Sequence, residues 1–183
     1  MKNIKINNYP FGPFPVMLIG ATVDGKSNFC TAGAGGCVCH APVLSISLNE
    51  AHETTRGIIE TGYFSVNILS VELLEKTDYC GMVSAKETDK SSVFDVFYGE
   101  TGTAPLISAC SPGFLCKVFK TVDVYGFKVF FGDLLETWAN ENALTDGKPD
   151  PAKVNPMVFM GANYCRLGGI VGKAFKAGKN IQL

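Results

Sequence analysis

Residues Pro42 to Asn67 read Pro-Val-Leu-Ser-Ile-Ser-Leu-Asn-Glu-Ala-His-Glu-Thr-Thr-Arg-Gly-Ile-Ile-Glu-Thr-Gly-Tyr-Phe-Ser-Val-Asn. Pro42 to Leu48 alternates apolar and small polar residues, the pattern of a strand with one face inward. Thr54 to Thr61 sets Ile58 and Ile59 on one side and meets Gly62 just beyond, which predicts a short helix with a glycine C-cap. Tyr63 to Leu69 then returns to strand. Between the first strand and the helix lies Asn49-Glu50-Ala51-His52-Glu53-Thr54-Thr55. Hydroxyls, an amide and an imidazole gather there at a helix start, where unpaired N–H groups and the positive dipole end suit an anion such as a phosphate. The same residue types favour helix caps with no ligand at all, and on composition alone capping ranks above binding.

Upstream, Pro15 to Thr22 is apolar, Asp24-Gly25 is a strong turn signal, and Ser27 to Ala32 runs back, so a β-hairpin is expected. Gly33, Gly35 and Gly36 interrupt regular structure but do not form a G-x-G-x-x-G or P-loop pattern, which excludes those nucleotide folds. Downstream, Ser70 caps a predicted helix that runs through Val71, Leu74 and Asp78 and ends at Gly81. Val83 to Thr103 is polar and loop-like around a helical turn at Ser91 to Val96. Phe114 to Phe119, Val122 to Tyr125 and Val129 to Trp138 read as strands, with bends or bulges at Gly126 and Gly132. Thr145 to Pro151 is a surface turn, Met157 to Arg166 a last strand, and Gly168 to Lys179 a tail. This order lacks βα alternation and predicts a mainly β fold, a mostly antiparallel barrel with flanking helices, forming one domain over residues 1–183.

Sixteen basic against seventeen acidic residues give a net charge of −1. No broad cationic field exists to gather nucleic acid or an anionic membrane. The N-terminus lacks the pattern of a secretory signal and no apolar run reaches spanning length, so a cytoplasmic protein is expected. Its seven cysteines, at 30, 37, 39, 80, 110, 116 and 165, are then expected to be reduced and mostly buried as small hydrophobes. Cys37-Val38-Cys39-His40 offers two thiols and an imidazole for a metal or a redox-sensing role, but no second ligand pair follows at the usual spacing, and strand alternation sets His40 on the other face. Cys30 with His40 or His52 is a thiol–imidazole pairing that reads more readily as packing.

The chain resembles the flavin reductase-like family of FMN-binding split barrels, especially its flavoredoxin branch. The resemblance rests on Pro15 and its strand, Asp24-Gly25-Lys26-Ser27-Asn28 leading to Thr31, and Ala41 to Ser47. It continues through Thr55, Ile58, Gly62 to Asn67, Asp89-Lys90, Phe131-Gly132-Asp133 and Asn163 to Gly168. It implies an FMN-binding homodimer with the flavin near the subunit seam and no catalytic residue of the protein's own, since the cofactor carries the chemistry. Asn28 and Thr31 would lie along the ring or ribityl chain. Ser47, Asn49, His52, Thr54 and Thr55 would surround the ribityl and phosphate, and Lys90 would pair with the phosphate charge. The implied activity is NAD(P)H-dependent flavin reduction or electron carriage to a redox-protein partner, with NADH or NADPH a transient donor. Two positions depart from the pattern: Ala34 stands where a tryptophan is usual, and Phe127 where a histidine is.

Overall fold

The computed structural model of the protein describes residues 3–6, 10–39 and 42–179. Seven strands form the principal sheet: β1 Met17–Val23, β2 Lys26–Ala32, β3 Gly35–Cys37, β4 Val43–Asn49, β5 Tyr63–Asn67, β6 Gly113–Val124 and β7 Phe127–Trp138. Their order is β2-β1-β5-β6-β7-β4-β3, and each neighbouring pair is antiparallel. The two edge strands, β2 and β3, follow each other in the chain with only Gly33 and Ala34 between them. A link that short forces the sheet to roll until its edges nearly meet. No ladder joins β2 to β3, so the barrel is split rather than closed, and Ala34 at the split accepts a hydrogen bond from the Ser47 N–H at 3.0 Å.

Inside the roll, Ile19, Ile46, Leu48, Ile58, Phe64, Val66, Cys116 and Phe130 make one apolar core. On the outer face of β1 and β2, Leu18, Phe29, Leu69, Cys80, Phe94 and Ile107 make a second. Leu18 and Ile19 are both fully buried, which explains the unbroken apolar run of β1: this strand is covered on both faces. The helix α1 spans Glu53–Thr61 and ends at Gly62, whose φ of 76° places it in the left-handed region, with its N–H bonded to the Ile58 carbonyl at 2.8 Å.

After a single 3₁₀ turn capped by Ser70, α2 spans Leu74–Met82. Gly81, expected to end this helix, lies within it. Its role is packing, since a Cβ there would sit 3.1 Å from Thr31 Cβ on β2. The helical turn expected at Ser91 to Val96 is instead irregular chain leading to Val96–Phe97, which pairs with Leu106–Ile107. Ser91 N–H bonds the Asp89 carboxylate at 2.9 Å, and Phe94 turns inward onto Phe29, two contacts that outcompete local helix.

The segments expected at Phe114 to Phe119 and Val122 to Tyr125 fuse into one strand of 12 residues that ends at Val124, with Tyr125 falling instead in the Tyr125-Gly126 turn, φ of 46° and 80°, that leads to a second strand of 12. Register shifts between Phe131 and Gly132 and between Leu134 and Glu136 bend this hairpin around the core. Met157 to Arg166 is a hairpin of two strands, Met157–Met160 and Asn163–Arg166, and Phe14–Pro15 pairs with the first of them. Among the described residues, no helix is long and apolar enough to cross a membrane.

Cys30, Cys80, Cys110 and Cys116 are buried, and none of the seven cysteines forms a disulfide. Cys37 and Cys39 are exposed, with the Cys37 thiol donating to the Cys39 carbonyl at 3.0 Å. His40, the third member of that motif, lies outside the described residues. Among the described residues, no three histidine, cysteine or acidic side chains are arranged to hold a metal ion.

Candidate functional site

The polar junction between β4 and α1 faces a cavity of about 180 Å³ bounded by β2, the start of α1, the end of α2 and the loop that follows it. Asn28, Thr31, His52, Thr54 and Lys90 line it together, although they come from three separate segments of the chain. Asn28 is 4% exposed and donates from Nδ2 to Thr54 Oγ1 at 2.8 Å, tying β2 to α1. Its Oδ1 is buried and has no hydrogen-bond partner among the described residues. The Thr31 hydroxyl donates to the Thr77 carbonyl of α2.

Lys90 is 4% exposed, and its Nζ donates to the carbonyls of Cys80 at 3.3 Å and Val83 at 3.2 Å. Among the described residues no carboxylate lies within ion-pair distance of it. Burial pushes the Lys90 ammonium below its ordinary value, with the thiols of Cys30 and Cys80 opposing that shift. Burial and the nearby Lys90 charge both lower the His52 imidazole. Cys30 is pushed up by burial, with Thr54 and Lys90 opposing, and Cys80 rises to about 11, so both remain thiols at neutral pH.

The other three sequence candidates sit apart from this cavity. Ser47 lies half-buried on β4 opposite Val129, and its N–H is bound to the Ala34 carbonyl. Asn49 ends β4, its Oδ1 accepting from Ala51 N–H at 2.9 Å. Thr55 is fully buried and donates to the Asn49 carbonyl at 2.7 Å, so its hydroxyl fastens helix to strand. His52 occupies the N-cap of α1, yet its side chain makes no capping bond. Phe127 pairs in register with Asn49.

The structure also adds Cys30, Cys80 and the segment from Gly81 to Ala85 to the cavity wall. In the sequence, Cys30 beside Asn28 and Thr31 read more readily as packing than as a thiol–imidazole partner of His40 or His52. The 81–85 segment carries no sequence signal, because it reaches the cavity through the packing of α2 on β2. Across Asn28 and Lys90 lies a second recess of about 290 Å³ under residues 85–89. An exposed Lys26–Asp89 ion pair at 2.7 Å ties that loop to the first hairpin.

The fold is shared with solved structures. A flavoredoxin from Methanosarcina acetivorans superposes with a TM-score of 0.93 at 40% identity, covering 98% of each chain. A flavoredoxin of Desulfovibrio vulgaris (Miyazaki F) superposes at 0.89 with 29% identity, covering 98% of this chain and 100% of that one. The FMN-binding protein from Thermus thermophilus, at 19% identity and a TM-score of 0.77 over 91% of this chain and 93% of that one, shares the fold. The family model described as the flavin reductase like domain matches residues 12–168. With that match over most of its length, and with the split barrel those residues build, the chain belongs to the flavin reductase like domain family.

Proposed function

We propose that the protein binds FMN in the cavity beside Asn28 and Lys90 and works as a two-partner redox carrier of the flavoredoxin kind. The observation that carries this reading is Lys90: a cation almost wholly removed from water and satisfied, among the described residues, by two backbone carbonyls, in a wall whose one carboxylate, Glu53, is already paired with Arg56. A buried charge calls for a counter-charge. Beside it, the buried and unpaired Asn28 Oδ1 calls for a donor. A phosphate ester carrying hydroxyl and N–H donors answers both demands, and FMN is such a molecule.

In this reading Lys90 meets the phosphate with a charge-assisted hydrogen bond, and His52 and Thr54 add neutral donors at the start of α1. Asn28 and Thr31 orient the ribityl chain or ring. Ser47, Asn49 and Thr55 act at one remove, by fixing the β4–α1 junction that presents His52 and Thr54. When bound, FMN supplies the hydride or electron acceptance, and the protein's part is to bind, orient and shield it. The flavoredoxins at 40% and 29% identity favour a carrier. A reductase that takes hydride from NADH or NADPH is the second reading, favoured by the family the chain belongs to.

We further propose a homodimer. Phe119, Val122, Val124, Tyr125 and Phe127 crowd the free end of the β6–β7 hairpin, with Tyr125 fully exposed, and a second copy would cover them.

The test is a visible spectrum of freshly purified protein, repeated anaerobically after NADH and then NADPH. A flavin spectrum that persists until a reduced redox protein is added is the expected result. Bleaching by a nicotinamide would make the protein a reductase and name its donor. A colourless protein that takes up no added FMN would overturn the assignment.

A further inference from the structure

We propose a second ligand site, for a small oxyanion such as inorganic phosphate, in a cleft that shares no lining residue with the flavin cavity. The cleft measures about 180 Å³ and is walled by Ser70, Ser111, Asn140, Asn142 and Lys153 among apolar neighbours. Ser111 is 6% exposed, and its Oγ is buried with no hydrogen-bond partner among the described residues. A hydroxyl in that state costs free energy unless something satisfies it.

The hydrogen bonds around the cleft leave donors in excess. Ser70 Oγ accepts from Glu72 N–H at 3.2 Å, which keeps its own proton available. Asn140 Oδ1 accepts from Asn142 N–H at 2.9 Å, which keeps the Asn140 amide hydrogens available. Lys153 Nζ donates to the Leu144 carbonyl at 2.5 Å and retains two further protons. No carboxylate lines the cleft. Of the nearby acids, Asp150 accepts from Thr145 Oγ1 at 2.8 Å and Ala152 N–H at 2.9 Å, Glu72 accepts from Asn155 Nδ2 at 3.0 Å, and Glu141, between the two asparagines, is exposed and does not line the cleft.

A cation, two hydroxyls and two amides around one space select a ligand rich in acceptors and negatively charged.

The experiment titrates inorganic phosphate, and separately sulfate, into FMN-saturated full-length protein at constant ionic strength, following backbone amide shifts by NMR. Saturating the flavin cavity first keeps phosphate from entering it. Saturable shifts at Ser111, Asn142, Ala143 and Lys153 are expected. Lys153→Met should lower the affinity roughly tenfold, the scale of one charge-assisted hydrogen bond, while Lys90→Met leaves these shifts unchanged. Ser111→Ala should leave the fold intact, because it removes an unpaired hydroxyl, yet weaken phosphate binding. The proposal fails if chloride moves the same amides equally, if no shift saturates, or if Lys153→Met binds like the parent. If the protein takes up no FMN, the same titration still reads this cleft, so the two proposals fail separately.

Discussion

Lys90 is all but buried on the wall of the cavity, yet the sequence around it, Lys86-Glu87-Thr88-Asp89-Lys90-Ser91, looks like an ordinary solvated loop. Only the fold turns this one lysine inward. Its lowered proton affinity makes two opposite pH predictions. The unfolded chain binds the proton more readily between the lowered value and the ordinary 10.5, so stability of the flavin-free protein rises with pH through that window. FMN affinity falls over the same window, because the charge that meets the phosphate is lost. Lys90→Met should flatten both trends and weaken FMN binding by roughly tenfold or more, while thermal stability of the flavin-free protein stays within about 1–2 kcal/mol of the parent. A flavin fluorescence titration and a melt at several pH values read both. Thr55 makes the contrasting case. Its hydroxyl is bound to Asn49, so Thr55→Ala should cost about 1 kcal/mol of stability by denaturant titration, with only a small change in FMN affinity once the protein is folded.

Among the elements, the β6–β7 hairpin does the most to shape the barrel, and Gly132 is one of its tight points against the core. A Cβ at Gly132 would lie 2.7 Å from the Phe64 ring and 2.9 Å from Cys116 Cβ, both fully buried in the core. Gly132→Ala should therefore destabilise by about 1–3 kcal/mol, measured by urea denaturation, through overpacking. A neutral result would show that the bulge can shift. The sequence marked Gly132 as a bend but could not name its partner, since Phe64 lies 68 residues earlier in the chain. The α1 boundaries were legible to within a residue because Gly62 signals its end in the local chain. The end of α2 also fell within a residue of Gly81, but that glycine packs on Thr31 of β2 and does not cap its own helix.

At the scale of the molecule, the exposed apolar tip of the hairpin predicts assembly. Light scattering should give twice the 19.6 kDa mass of one chain, and Phe119→Asp with Val122→Asp should halve it, since charges at a buried seam cannot be solvated. A parent protein that already runs as a monomer with flavin bound would end that reading.

What the sequence determined by itself is local. Strand periods, the Asp24-Gly25 and Gly62 signals and the polar junction at Asn49 to Thr55 all depend on contacts within a few residues, so the mainly antiparallel barrel was readable from pattern. Tertiary structure decided the rest. The rolling of the sheet brings Asn28 against Thr54 across 26 residues, carries Lys90 to the Cys80 and Val83 carbonyls, and sets the 81–85 segment against β2. It also divides the candidate residues, gathering five around one cavity and leaving Ser47, Asn49 and Thr55 to hold the strand and helix that frame it. Burial of a charge and the pairing of polar atoms over long sequence distances depend on where the closed sheet places each residue, and no local pattern of residues encodes that.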